Sequence, residues 1–247
     1  MISNIIRNFN RKEVKEEVIN VVPYLEFKSS TPMTITPNYA NAGVTLQYSL
    51  DTVTWTNISA KGVTPSRNVI YFRGRATGTK SLSTVANVSN AWVFTGASNL
   101  EVNGDITMLL QDTLGGMVRD IPLGANAFAL MFRLCTSLTT APRLPSTTLA
   151  DSCYSAMFIG CSSLITPPAL PATTLVSNCY NNMFSGCTNI KLSTTKTGLY
   201  VNGYRVPTVG TGIDDYNTMF NMFINTGGTF ADVPTINTTY YTENTIV

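Results

Sequence analysis

Apolar and polar positions follow two different rhythms along this chain. Between residues 23 and 95 there are short runs rich in β-branched and aromatic residues. They are Tyr24-Leu25-Glu26-Phe27, Met33-Thr34-Ile35-Thr36, Val44-Thr45-Leu46-Gln47-Tyr48, Val53-Thr54-Trp55, Val69-Ile70-Tyr71-Phe72 and Ala91-Trp92-Val93-Phe94, separated by Pro, Gly, Asn and Asp. That texture predicts short strands and a small antiparallel β-sandwich, Ig-like, over residues 23–96. From residue 126 the apolar positions instead fall at i, i+3, i+4, i+7 and i+10, the spacing of one helical face, and predict a short helix.

That second pattern recurs. Residues 126–151, 152–177 and 178–198 superpose at an offset of 26, so that Phe128, Tyr154 and Tyr180 correspond, as do Met131, Met157 and Met183. Phe132, Phe158 and Phe184 form a third set, Cys135, Cys161 and Cys187 a fourth, and Leu138, Leu164 and Ile190 a fifth. A period of this length marks stacked units that bury a continuous core only together, and these fifteen residues are the expected core. Pro142 and Pro145, matched by Pro168 and Pro171, cannot continue a helix and favour extended chain around Leu144 and Leu170. Each unit therefore reads as helix, short strand and Thr-Thr loop. Residues 216–226, YNTMFNMFINT, read as a degraded fourth copy displaced by a 13-residue insertion, in which Asn202-Gly203 is a hairpin signal.

The first residues differ from both regions. Arg7, Arg11, Lys12, Glu13, Lys15, Glu16 and Glu17 crowd into residues 1–22, while Ile2, Ile5, Ile6 and Phe9 keep helical spacing. Two readings of this helix stand: an anchor inserted into a partner, with those four residues as its buried face, or a helix packed on its own sandwich. The division of the chain is then 1–22 anchor helix, 23–96 sandwich, 97–125 junction and N-terminal cap, and 126–247 repeats with a C-terminal cap.

Charge narrows the function classes. Only 12% of the residues are charged, and 16 basic against 14 acidic residues leave a net charge of +2, too small and dispersed to form a phosphate-neutralising stripe. Nucleic acid is not an expected partner. The chain has no histidine, which removes the usual general base, the Ser-His and Cys-His pairs and every His-containing zinc site. Residues 126–190 carry only Arg133, Arg143 and Asp151 as charges, so the repeats offer no carboxylate pair for glycoside cleavage. No catalytic residue, cofactor or metal site is expected. No segment reaches about 18 consecutive apolar residues, so no membrane span is expected, and residues 1–17 do not read as a secretory leader.

Five cysteines, Cys135, Cys153, Cys161, Cys179 and Cys187, are an odd number with no C-x-x-C among them. They read as buried free thiols that recur because the stack repeats; a redox or metal role is the alternative. Tyr200, Tyr204 and Tyr216 are candidates for surface contact with a glycan or protein, or for capping the open end of the stack.

The pattern FxxMFxxCxxLxxxPxLPxTTL over residues 126–198 resembles the BspA-type leucine-rich repeats. The order of strand, LQYSLDTVTW, VIYFRGRA and AWVFTGA ahead of it resembles, more loosely, the β-module preceding such repeats in gut Bacteroides phages, including crAss-like ones. The resemblance implies an α+β multidomain protein with an N-terminal helical anchor, an Ig-like sandwich and a C-terminal leucine-rich-repeat solenoid. It further implies a non-enzymatic virion protein assembled in the host cytoplasm: a head fibre or decoration subunit bound to capsid proteins, a dimer or trimer, touching a host surface glycan or protein. A tail-appendage host-recognition module and a bacterial cell-surface adhesin are the alternatives.

Overall fold

The β-branched runs form strands, but one sheet takes up nearly all of them. A computed structural model of the chain describes residues 21–247 apart from 84, 86, 210–217, 236, 245 and 247. The first strands are β1 (Leu25–Thr36), β2 (Val44–Ser49), β3 (Thr56–Ile58), β4 (Arg67–Ala76), β5 (Val93–Thr95), β6 (Leu100–Asn103) and β7 (Leu138–Thr140). They make a seven-stranded sheet in the order β3-β2-β4-β1-β6-β7, with β5 paired to β1 off that path. Every pairing is antiparallel except β6 with β7.

Two expected strands, Tyr24–Phe27 from Leu25 on and Met33–Thr36, are parts of the single strand β1, whose register shifts between Lys28 and Met33. Leu25, Phe27 and Ser29 point inward on one side of that shift, Met33 and Ile35 on the other. Val53–Trp55 is loop rather than strand. The Ig-like sandwich is therefore corrected: the inner face is covered not by a second sheet but by Trp92, Phe94 and a 3₁₀ turn at Ile106–Leu109. Gly74 on β4 permits that turn to lie close, since a Cβ there would sit 2.1 Å from the Leu109 carbonyl oxygen.

The repeats overturn the expected α+β class more fully. None of the segments 126–135, 152–161 and 178–187 is α-helical; each is a succession of tight turns, and a leucine-rich-repeat solenoid of alternating helix and strand is not formed. A left-handed residue recurs every fourth position. In the first repeat these are Asn126, Leu130 and Leu134, in the second Ser152, Ala156 and Gly160, and in the third Asn178, Asn182 and Gly186. That conformation stops the chain from continuing into a right-handed helix.

Hydrogen bonding explains what the turns gain. The N–H groups of Ala129, Met131, Arg133 and Cys135 donate backward to the carbonyls of Asn126, Phe128, Leu130 and Phe132. Those of Asn126, Phe128, Leu130, Phe132 and Leu134 donate across to Asp151, Cys153, Ser155, Met157 and Ile159, 25 residues on in the adjoining layer. An α-helix would spend all of these donors locally; here alternate ones knit each repeat to its neighbour, as strands do in a sheet. The second repeat donates to the third in the same manner, from Ser152, Tyr154, Ala156, Phe158 and Gly160. The degraded copy receives the last set, since Tyr180, Asn182, Phe184 and Gly186 donate to Thr218, Phe220, Met222 and Ile224.

Beyond the first sheet, β8 (Thr174–Leu175) pairs in parallel with β11 (Thr208–Val209). A second sheet in the order β10-β13-β9-β12 comprises β9 (Lys191–Ser193), β10 (Asn202–Arg205), β12 (Gly227–Gly228) and β13 (Thr239–Thr242). Asn202-Gly203 is thus not a hairpin turn but part of β10, with Gly203 opposite Tyr241. The expected anchor helix and its Ile2, Ile5, Ile6 and Phe9 lie outside the described residues. One hydrophobic core runs from Leu25 and Phe27 in the sheet through the repeats to Phe223 and Tyr240.

Candidate functional site

The period-four turns place two adjacent residues inside and turn the next two away from the core, though the small Ala129 and Ala156 among the latter are also buried, so equivalent side chains stack from one repeat to the next. All fifteen residues expected to form the repeat core are buried: Phe128, Met131, Phe132, Cys135, Leu138, Tyr154, Met157, Phe158, Cys161, Leu164, Tyr180, Met183, Phe184, Cys187 and Ile190. Two aromatic ladders result. Phe132 lies 5.5 Å from Phe158, Phe158 5.7 Å from Phe184 and Phe184 5.3 Å from Phe223, with interplanar angles of 9°, 1° and 9°. Phe128, Tyr154 and Tyr180 form the shorter ladder at 5.8 and 5.9 Å. The longer one continues into the sheet, where Phe94 stacks on Phe132 at 5.7 Å and Phe27 on Phe94 at 5.9 Å.

The cysteines have a structural task within this stack. The Cys161 thiol donates to the Phe132 carbonyl at 3.0 Å, and the Cys187 thiol to the Phe158 carbonyl at 3.0 Å. Each of those carbonyls also accepts the N–H of the cysteine three residues on, so both lone pairs are used. All five thiols are free and buried. Burial pushes Cys135, Cys153 and Cys161 up, and takes Cys179 and Cys187 to about 12, which removes the thiolate that redox or metal chemistry needs. Among the described residues no cluster of His, Cys, Asp or Glu could hold a metal ion, and no helix is long and apolar enough to cross a membrane.

The tyrosines read either as surface contacts or as a cap on the stack divide. Tyr200 is half-buried, Tyr216 lies outside the described residues, and Tyr204, 1% exposed, is corrected as a surface contact. Its hydroxyl donates to the Pro168 carbonyl at 3.3 Å and its ring meets Phe223 edge-on at 6.0 Å, closing the side of the stack. Burial raises the pKa of Tyr204, as it does for Tyr154 and Tyr180.

Sequence reasoning missed the most polar feature of the interior. Asp105, directly after the bend that follows β6, is 1% exposed and takes the Arg119 Nε on Oδ2 at 2.6 Å and the Arg143 Nε on Oδ1 at 2.7 Å. Backbone bonds fix the same junction, with Arg143 N–H donating to Gly104 and Ile106 N–H to Arg143. The carboxylate thereby ties the sheet, the junction and the first repeat together. A signal for it existed: Arg143 is one of three charges in 65 residues of repeat, and an isolated charge in an apolar stretch calls for a partner. On the outer face of the sheet, Arg73 lies 4.1 Å above the Trp55 ring, beside Tyr24 and Tyr71.

Compared with known proteins, the chain matches no family model, no curated protein and no solved structure.

Proposed function

We propose that the chain is a non-enzymatic structural protein of a bacteriophage virion, a capsid-surface fibre or decoration subunit held to the particle by residues 1–22. The sheet and the repeats project from that attachment as one body. The observation that carries this reading is the unbroken ladder of rings from Phe27 through Phe94, Phe132, Phe158 and Phe184 to Phe223. A body in which every layer leans on the next resists bending, which suits a projection that must present its surface at a distance from its base. The charge density and helical apolar spacing of residues 1–22 supply the attachment.

Imaging of purified particles with a label on the C-terminus tests the placement. Label on the capsid surface is the expected result; label on a tail appendage would make the protein a host-recognition module, and its absence from particles would overturn the virion role. Deleting residues 1–22 is expected to leave a soluble dimer or trimer, measurable by light scattering, that no longer joins particles. Incorporation of the truncated chain at full occupancy would end the anchor assignment.

A further inference from the structure

The strand β5 leaves one of its edges unused. The Ile35 N–H donates to the Thr64 Oγ1 at 2.8 Å and the Ile35 carbonyl accepts the Thr64 N–H at 3.1 Å, so Ile35 turns its backbone groups away from β5. Phe94 lies opposite Ile35. In such a non-bonded antiparallel pair the N–H and carbonyl of Phe94 also point away from the partner strand. That side faces the first repeat, because Trp92, two residues earlier and of the same orientation, donates its N–H to the Met131 carbonyl at 2.9 Å. Past that bond the two segments part. Between them lies a slot of about 320 Å³, with Val93, Phe94 and Ala97 on one wall and Arg133, Leu134 and Thr136 on the other.

The slot marks a lapse in the bonding between layers. Deeper in the stack the carbonyls of Ile159, Ser185 and Ile224 accept from Leu134, Gly160 and Gly186. Among the described residues the equivalent Arg133 carbonyl accepts nothing, and neither backbone group of Phe94 has a partner on the slot side. The charge in the walls is that of Arg133, which among the described residues pairs with no carboxylate.

We infer that this slot binds an extended segment of a partner polypeptide, which adds to the free edge of β5 as a further strand. One carbonyl of the segment accepts the Phe94 N–H, and one of its N–H groups donates to the Phe94 carbonyl. An unpaired donor beside an unpaired acceptor is the complement of an extended main chain, which supplies both at matching spacing. Val93 and Leu134, both exposed, seat an apolar side chain, and the unpaired Arg133 favours an acidic residue next to it. Pairing with β1 and the stacking of Phe94 on Phe132 hold the edge in place, which lowers the ordering cost of binding. The site is independent of what residues 1–22 do.

The test combines calorimetric titration of the full chain with amide hydrogen exchange followed by NMR. The probe is the capped pentapeptide Thr-Val-Glu-Val-Thr. Its controls are the glutamine analogue and the same peptide methylated on the backbone nitrogens of the glutamate and the valine after it. In the free protein the Phe94 amide should exchange faster than those of Val93 and Thr95, which β1 holds. Saturable binding with a dissociation constant of about a millimolar or tighter is expected, and it should slow the Phe94 amide roughly tenfold or more. Methylation removes the donors that a strand needs and should weaken binding roughly tenfold or more. Arg133→Gln should erase the preference for the glutamate peptide over the glutamine one. Thr136→Trp fills the slot from its exposed side and should abolish binding at unchanged melting temperature. A Phe94 amide already protected in the free protein would mean that the chain fills its own slot, and would overturn the proposal. So would the absence of saturable binding, equal affinity for the methylated peptide, a glutamate preference that survives Arg133→Gln, or full binding by folded Thr136→Trp protein.

Discussion

The sheet and the repeat stack solve the same problem with opposite bookkeeping of backbone donors. In the sheet, strands far apart in sequence share their hydrogen bonds, as where Phe27 lies opposite Ile70 and Val102, and side chains alternate one in, one out. In the stack, donors alternate between a carbonyl three residues back and one 25 residues ahead, or 38 ahead across the insertion, and side chains run two in, two out. Local turns therefore set the shape of each layer while the repeat period sets its register. The sheet depends on side-chain pairing across strands; the stack depends on equivalent residues remaining equivalent.

Substitution at a ladder position should expose that dependence most. Phe158 has a ring on each side, so Phe158→Ala should lower unfolding free energy by about 3 to 5 kcal/mol in a urea titration. A loss under about 1 kcal/mol would show that the layers do not lean on one another. The join between the regions should be next in magnitude. Asp105→Ala is expected to remove about 2 to 3 kcal/mol, less than the roughly 3 to 5 of a fully buried pair, because Arg119 and Arg143 are partly exposed and can rehydrate. If sheet and stack melted together in the variant as in the parent, with no loss, the ion pairs would be irrelevant to their coupling.

Alkali should act most strongly on the stack, where all five buried cysteines and the buried Tyr154, Tyr180 and Tyr204 lie, and less on the sheet region, where burial raises only Tyr39 and Tyr71 among the described residues. Their folded-state pKa values are raised, to about 12 for Cys179 and Cys187, so the stability they contribute is full below the unfolded value and is lost as pH rises from there through about 12. Thiol reagent at neutral pH should label the native protein negligibly and the urea-unfolded protein at all five positions. Rapid labelling of the native protein would contradict the burial.

The smallest expected effect is a gain. Leu134 holds a positive φ and is 55% exposed, while Gly160 and Gly186 occupy the equivalent positions. Leu134→Gly should relieve left-handed strain worth about 1 to 2 kcal/mol and surrender part of it to backbone entropy, leaving about 0.5 to 1 kcal/mol of added stability by urea titration. A loss of stability would mean that Leu134 packs usefully over Gly160, where an added Cβ would come within 2.6 Å of the Leu134 Cδ2.

Sequence alone determined the repeat, its period, the fifteen inward positions and the strand-forming texture of residues 23–95, because burial imprints itself on residue type wherever a pattern recurs. It did not determine the backbone of the repeat. Two-in, two-out packing over ten residues produces apolar positions at i, i+3, i+4 and i+7, which an α-helix also produces, and the choice between them lies in where alternate N–H groups find acceptors. A faint local clue was present: Asn126, Asn178 and Asn182, with Gly160 and Gly186, are residues tolerant of left-handed φ at four-residue intervals. Leu130 and Ala156 break that clue, since their conformation is imposed by the neighbouring layer. Tyr204 likewise stands open between a surface contact and a cap until β10 pairs with β13 and turns it onto Phe223. The meeting of Asp105, Arg119 and Arg143 was equally beyond the sequence: charges 14 and 38 residues apart come together only when the first repeat docks on the junction, and no local preference encodes that approach.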